Sequence, residues 1–312
     1  MALSRRTVLR SGLGLGVGVG LGAVTAGLVG CSGDESPRAE ASTLPEVEGA
    51  RRLTYGEAPS QWLDIAFPQG DPGEDAESLA PALVVLIHGG FWQDRFGADL
   101  MTPLARDLLR RGYVVANLEY RRLGERGGGW PGTLADVAAG VDRLATAGDD
   151  LGRAMPSRVV TIGHSAGGQL AVWAAARRQL TDDQVGAQPK VLPTATVSLA
   201  GVLDLRAAAA DDLGDGAVVD LMGGEPIEHP DRYAAASPRG LLPLGLPTLC
   251  VHGTADQAVP VSQSESYVDA AVPLGDDATL AAIRGADHLV LIDPTAEPWR
   301  TVTDWLGGTV PG

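Results

Sequence analysis

From residue 50 onward, short apolar runs alternate with longer segments in which apolar residues recur at helical spacing. Leu83-Val84-Val85-Leu86-Ile87 is unbroken by any polar position, the pattern of a strand covered on both faces. Strands are predicted over 53–55, 62–67, 83–87, 114–119, 159–162, 196–199, 248–251 and 279–283. Helices are predicted over 100–111, 133–146, 167–179, 262–271 and 299–305. Repeated strand–helix–strand units imply an α/β architecture, a doubly wound and mostly parallel sheet of eight strands. No helix lies between the first two strands, so they are expected to pair as an antiparallel hairpin at one edge. The stretch 205–246 is rich in Ala and Asp and weakly periodic, which suits a small helical cap.

The first thirty residues follow another pattern. Ser4-Arg5-Arg6-Thr7-Val8-Leu9-Arg10 precedes an apolar, Gly-rich run from Gly12 to Gly30, which reads as an export signal and not as part of the fold. The adjacent arginines resemble a twin-arginine signal. Leu28-Val29-Gly30-Cys31 resembles a bacterial lipobox, in which Cys31 becomes the lipidated first residue of the mature chain. An uncleaved anchor and ordinary cleavage are the alternatives. Residues 31–48 are polar and aperiodic, as expected of a disordered tether, which leaves 49–312 as one large domain. The expected location is outside the cytoplasm, lipid-anchored on the outer face of the cytoplasmic membrane or secreted.

Composition narrows the function classes. With 45% hydrophobic and 20% charged residues the chain is globular, and 24 basic against 39 acidic residues give −15. The leader holds three arginines and no acid, so without it the charge moves from −15 to −18. An acidic body offers no electrostatic footprint for nucleic acid. Two cysteines, Cys31 and Cys250, make neither a disulfide framework nor a zinc cluster, and no metal site is expected. Cys250 lies in an apolar run and is expected to be a buried structural thiol.

The chemistry gathers at strand ends, where such sheets place it. Gly163-His164-Ser165-Ala166-Gly167 follows the strand ending at Ile162 and precedes a helix, the strand–turn–helix setting of a nucleophile elbow. A serine attacks at neutral pH only with a base and an oriented third group. Asp256 and His288 each follow a later strand and stand on the same rim as Ser165. His288 is expected to take the serine proton and return it to the leaving group, and Asp256 to fix the tautomer of His288. Asp204 is a rival for the acid and His229 for the base. Asp287, His252 and His164 read more simply as turn or packing residues. His88-Gly89-Gly90-Phe91-Trp92 follows the strand at 83–87, and the N–H groups of Gly89, Gly90 and Phe91, with that of Ala166, are candidates for an oxyanion hole. Trp92, Trp130 and His164 are candidates to line the substrate pocket, with core packing the alternative for the tryptophans.

Together these motifs resemble the α/β-hydrolase superfamily across roughly residues 50–306. HGGFW at 88–92 looks like the HGGxW element of kynurenine formamidase (arylformamidase) relatives. It is also similar to the HGGG element of hormone-sensitive-lipase-type esterases, with Phe91 in place of the third glycine. GHSAGG at 163–168 is similar to the elbow of both groups. Ala236-Ser237-Pro238 with 247–260 looks like the region around the acid in these esterases and in prolyl-oligopeptidase-type hydrolases. The resemblance implies a serine hydrolase that cleaves a small carboxylic ester through an acyl-enzyme, without metal or organic cofactor. An arylformamidase is the first alternative; a small-peptide peptidase and a catalytically silent binding protein on this fold are the others. An exported enzyme is oddly placed for kynurenine catabolism, so the carboxylesterase leads.

Overall fold

The computed structural model describes residues 47–69 and 82–309. The export signal, Cys31 and nearly all of the tether lie outside the described residues. Val47, assigned to the tether by its polar surroundings, is instead buried and packs into the core; a single valine gives no period that sequence could register.

Eight strands form one sheet: β1 (Arg51–Thr54), β2 (Trp62–Ala66), β3 (Leu83–Ile87), β4 (Val114–Leu118), β5 (Val159–His164), β6 (Ala195–Leu199), β7 (Thr248–Gly253) and β8 (Ala278–Ile283). Their order is β1-β2-β4-β3-β5-β6-β7-β8. β1 pairs antiparallel with β2, and β2 antiparallel with β4, while every pair from β4 to β8 is parallel. The edge hairpin is therefore as expected. β5 and β7 run two residues further than the sequence suggested. Their glycines and histidines break the apolar run, yet the ladders continue through Ile87↔Gly163, His164↔Leu199 and Gly253↔Ile283.

The helices are α1 (Thr102–Arg110), α2 (Gly132–Asp142), α3 (Ala147–Leu151), α4 (Ala166–Ala176), α5 (Leu205–Ala210), α6 (Ala217–Met222), α7 (Pro230–Ala236), α8 (Ser262–Ala271) and α9 (Glu297–Thr309). The helix expected over 133–146 ends at Asp142 and tightens into a 3-10 turn, Arg143–Thr146. α3, α5, α6 and α7 are too short to show a helical period.

The unbroken strand β3 accounts for the two-sided core. Leu83, Val85 and Ile87 enter one apolar cluster, with residues of α2, α4 and α8. Val84 and Leu86 enter the other, with residues of α1 and α9. Alternate side chains thus leave opposite faces of the sheet, and both faces are covered. α4 is buried at every position, which its apolar all-round sequence requires. Trp299 in α9 donates to Asp107 in α1 at 2.8 Å and ties the two helices on that face.

Candidate active site

β5 hands the chain to α4 through one residue. Ser165 has φ 57° and ψ −123°, a backbone region that side chains avoid and whose occupation costs about 1–3 kcal/mol. Its N–H donates to Leu199 O at 2.8 Å, and its carbonyl accepts from the Gly168 N–H at 2.8 Å. A Cβ on Gly163 would lie 1.9 Å from Gly167 O, and one on Gly167 would lie 2.2 Å from Ile87 O. No side chain fits at either place, which is why glycines flank the serine.

The loop after β3 crosses directly in front of this turn. A Cβ on Gly89 would stand 2.6 Å from His164 O and 2.9 Å from Ser165 Cβ. Gly90, Phe91 and Trp92 follow at φ 109°, 50° and 56°, so Phe91 adopts the left-handed backbone that glycine favours. Among the described residues, the N–H groups of Gly89, Gly90, Phe91 and Ala166 donate to no protein acceptor. Gly89 lies against Ser165 and Ala166 follows Ser165 in the chain, so free donors adjoin the serine, as a developing oxyanion requires.

Beyond β7 and β8 the chain brings Asp256 to His288. Asp256 Oδ2 accepts from His288 Nδ1 at 2.7 Å, while Oδ1 accepts from the Ala258 and Val259 N–H groups at 2.8 and 2.9 Å. Burial alone would raise this carboxyl, but His288 and the two backbone donors hold it below the usual carboxylate range. His164 links the serine turn to the base. Its Nε2–H donates to His288 O at 2.9 Å, and the two rings meet at 4.5 Å between centroids. Burial first, then the neighbouring His288, pushes the His164 ring down to about 3, so it stays neutral. No hydrogen bond joins the Ser165 hydroxyl to the His288 ring among the described contacts; such bonds commonly tighten only with substrate bound.

The rivals go elsewhere. Asp204 caps α5, accepting from the N–H groups of Arg206 and Ala207 at 3.1 Å each. His229 faces Gly223 O at 3.1 Å on an exposed loop. Asp287 caps the turn after it through the N–H groups of Leu289 and Val290. His252 is buried against Ser264 and Val259 O, with its Nε2 3.6 Å from Asp256 Oδ2. Cys250 is buried, and burial pushes its thiol up to about 12.

Two of the expected pocket residues need correction. Trp92 is fully buried and donates to Gln169 Oε1 at 3.2 Å, so it is a core anchor under the loop and lines no accessible pocket. His164 is also buried, its ring packed on His288. Trp130 is half-buried, with its backbone N–H on Leu221 O at 2.7 Å. The accessible space beside His288 is an open recess of about 500 Å³ lined by Ala255, Gln257, Ala258, Asp287, His288 and Leu289. Its exposed surface is nearly all apolar, and Leu289 is 67% exposed. The ring of Phe91 rests against Gly214, in the turn between α5 and α6.

Sequence reasoning missed Glu119 and Tyr120, which follow β4 and hold the His88 loop from behind. His88 Nε2 lies 2.9 Å from Glu119 Oε1, and the His88 ring stacks on Tyr120 at 4.3 Å and 10°. The strand-end rule that located Asp256 and His288 applies to them equally.

A model of the BD-FAE family matches residues 63–270. The chain belongs to the BD-FAE family. Among curated proteins, this BD-FAE chain is 27% identical over 271 residues to the isoprenylcysteine alpha-carbonyl methylesterase ICME of Arabidopsis thaliana, covering 78% of this chain and 58% of that one. It therefore spans somewhat over half the length of that relative. Kynurenine formamidase of Drosophila melanogaster is 25% identical over 256 residues, 81% of this chain and 79% of that one. Among solved structures, esterase 2 of Thermogutta terrifontis, phosphoramylated by tabun, aligns with a TM-score of 0.66 at 21% identity over 86% of this chain and 98% of that one. The same esterase with propionate bound gives a TM-score of 0.66 at 22% identity. The BD-FAE chain has the α/β-hydrolase fold.

Proposed function

We propose that this protein is a serine carboxylesterase that works through an acyl-enzyme. Ser165 is the nucleophile, His288 the general base and then the general acid, and Asp256 the group that orients the imidazole. The N–H groups of Gly89, Gly90, Phe91 and Ala166 receive the oxyanion. One observation carries the reading: the Asp256–His288 bond of 2.7 Å stands on the same rim as a strained serine bordered by free N–H donors. The names of its relatives point the same way: a methylesterase, a kynurenine formamidase and an esterase.

We also propose which side of the site takes each part of the substrate. In the tetrahedral intermediate, the oxyanion faces the N–H donors and the leaving oxygen faces His288, because His288 must protonate it. The apolar recess beside His288 therefore takes the alcohol side. The helical segment α5–α7, which meets Phe91 through Gly214, serves as a cap on the acyl side.

Treating the folded domain with a fluorophosphonate probe tests the reading, with p-nitrophenyl acetate, p-nitrophenyl octanoate and N-formylkynurenine assayed in parallel. Labelling at Ser165 with ester turnover supports it, and an unlabelled, inert protein refutes it. A formamidase is the second reading, favoured by the Drosophila relative, and a clear preference for N-formylkynurenine would select it. We also propose export by the twin-arginine route with lipidation at Cys31. Cys31→Ser should release the protein from the membrane fraction, and continued anchoring would point to an uncleaved helix.

A further inference from the structure

Across a trans peptide, the C=O of one residue and the N–H of the next point in opposite directions. Holding a carbonyl back therefore aims the following N–H forward. In the loop after β3, three successive carbonyls are held. His88 O accepts from the Tyr120 hydroxyl at 2.8 Å, Gly89 O from His88 Nδ1 at 2.8 Å, and Gly90 O from the Gln93 N–H at 3.0 Å. The N–H groups that follow these carbonyls are those of Gly89, Gly90 and Phe91.

The first two of these anchors trace back to β4. Glu119 Oε1 takes His88 Nε2 at 2.9 Å and the Tyr120 N–H at 2.9 Å, and its other oxygen takes the Ala98 N–H at 3.0 Å. Arg122 approaches the same carboxylate at 3.2 Å. With Nε2 fixed on Glu119, the ring leaves only Nδ1 to reach Gly89 O, and stacking on Tyr120 sets its plane. All three side chains are buried, so water does not compete for these bonds.

We infer that Glu119 and Tyr120 are positioning residues for the oxyanion hole: they aim the Gly89 and Gly90 N–H groups by holding the carbonyls behind them, Tyr120 directly and Glu119 through His88. Neither touches substrate. The inference rests on the esterase reading above, because aiming a donor matters only if an oxyanion forms there.

The test uses the full chain, with active sites counted by fluorophosphonate titration so that rates refer to folded, competent protein. Tyr120→Phe deletes one hydroxyl from a buried ring. Its kcat per titrated site should fall about tenfold with KM unchanged, a fraction of what loss of a whole oxyanion donor costs. Affinity for a trifluoromethyl ketone, whose adduct with the serine carries an oxyanion, should weaken by the same factor. Glu119→Ala should cost more than Glu119→Gln, which keeps one acceptor oxygen for His88. If Glu119→Ala fails to fold, Tyr120→Phe and Glu119→Gln still decide. Unchanged kcat per titrated site in both, or a rise in KM alone, would overturn the positioning role. An inert wild-type protein would overturn the esterase reading and this inference with it.

Discussion

His288 and Asp256 come from loops thirty-two positions apart and meet at 2.7 Å, with the second carboxylate oxygen fixed by the Ala258 and Val259 backbone. The carboxylate thus cannot rotate away from the imidazole without breaking two further bonds. Rigid orientation of this kind keeps a base in one tautomer.

Asp256→Asn should lower kcat by about 10³- to 10⁴-fold at neutral pH while the protein stays folded. Asp204→Ala should do the opposite, leaving kcat within twofold but costing ~1 kcal/mol through loss of the α5 cap. Steady-state kinetics and urea titrations on both variants separate the two acids. A larger rate loss at Asp204 would transfer the role.

Replacing Ser165 separates chemistry from strain. Ser165→Ala should abolish turnover with little change in stability, since the strained backbone is kept. Ser165→Gly should also be inactive but more stable than Ser165→Ala by about 1 kcal/mol, because glycine adopts φ 57° without a Cβ penalty. Equal midpoints in denaturant would mean that the turn holds no strain.

Acid should weaken the fold in two stages. His164 is near 6.5 when unfolded but is pushed to about 3 in the native state. Between those values the unfolded chain binds a proton that the folded chain refuses, so stability falls as pH drops, by at most ~1.4 kcal/mol per pH unit from this group. Asp256 and Glu119 act later. Burial would raise both, but the imidazole beside each holds it low. Their stabilisation is present above the ordinary carboxyl value and is lost as pH falls through the depressed one. Urea midpoints from pH 7.5 to 4 should decline in wild type and decline less in His164→Gln; parallel curves would exclude His164 as the source.

Trp92→Phe should lower stability by about 1–3 kcal/mol through a void and an unpaired Gln169 Oε1, with the acyl-chain preference unchanged. A shifted preference among p-nitrophenyl esters would return Trp92 to the pocket.

The parts of this molecule that sequence disclosed share one property: a short-range pattern carried them. β3 shows both covered faces in five residues, and the elbow declares itself because 1.9 Å and 2.2 Å approaches leave room only for glycine. Asp256 and His288 could be named because each follows a strand. Trp92 was misjudged because a tryptophan beside a glycine pair gives no sign of which way it turns, and only its bond to Gln169, 77 positions away, decides that. Glu119 does stand at a strand end, but nothing local singles it out there. Its importance lies in contacts with His88 and Ala98, which no local spacing encodes. The helices α5 to α7 are held by packing more than by period, so their bounds were illegible.

The loops that build the site follow β3, β5, β7 and β8, so its groups span the chain from Gly89 to His288. No contiguous fragment holds them all short of nearly the whole domain. On the esterase reading, turnover reports global topology: during refolding from denaturant it returns only after the β7 and β8 ladders have closed onto the sheet centre. Hydrolysis of a chromogenic ester, followed in real time, would time the docking of β7 and β8, where circular dichroism would register only that strands and helices had formed.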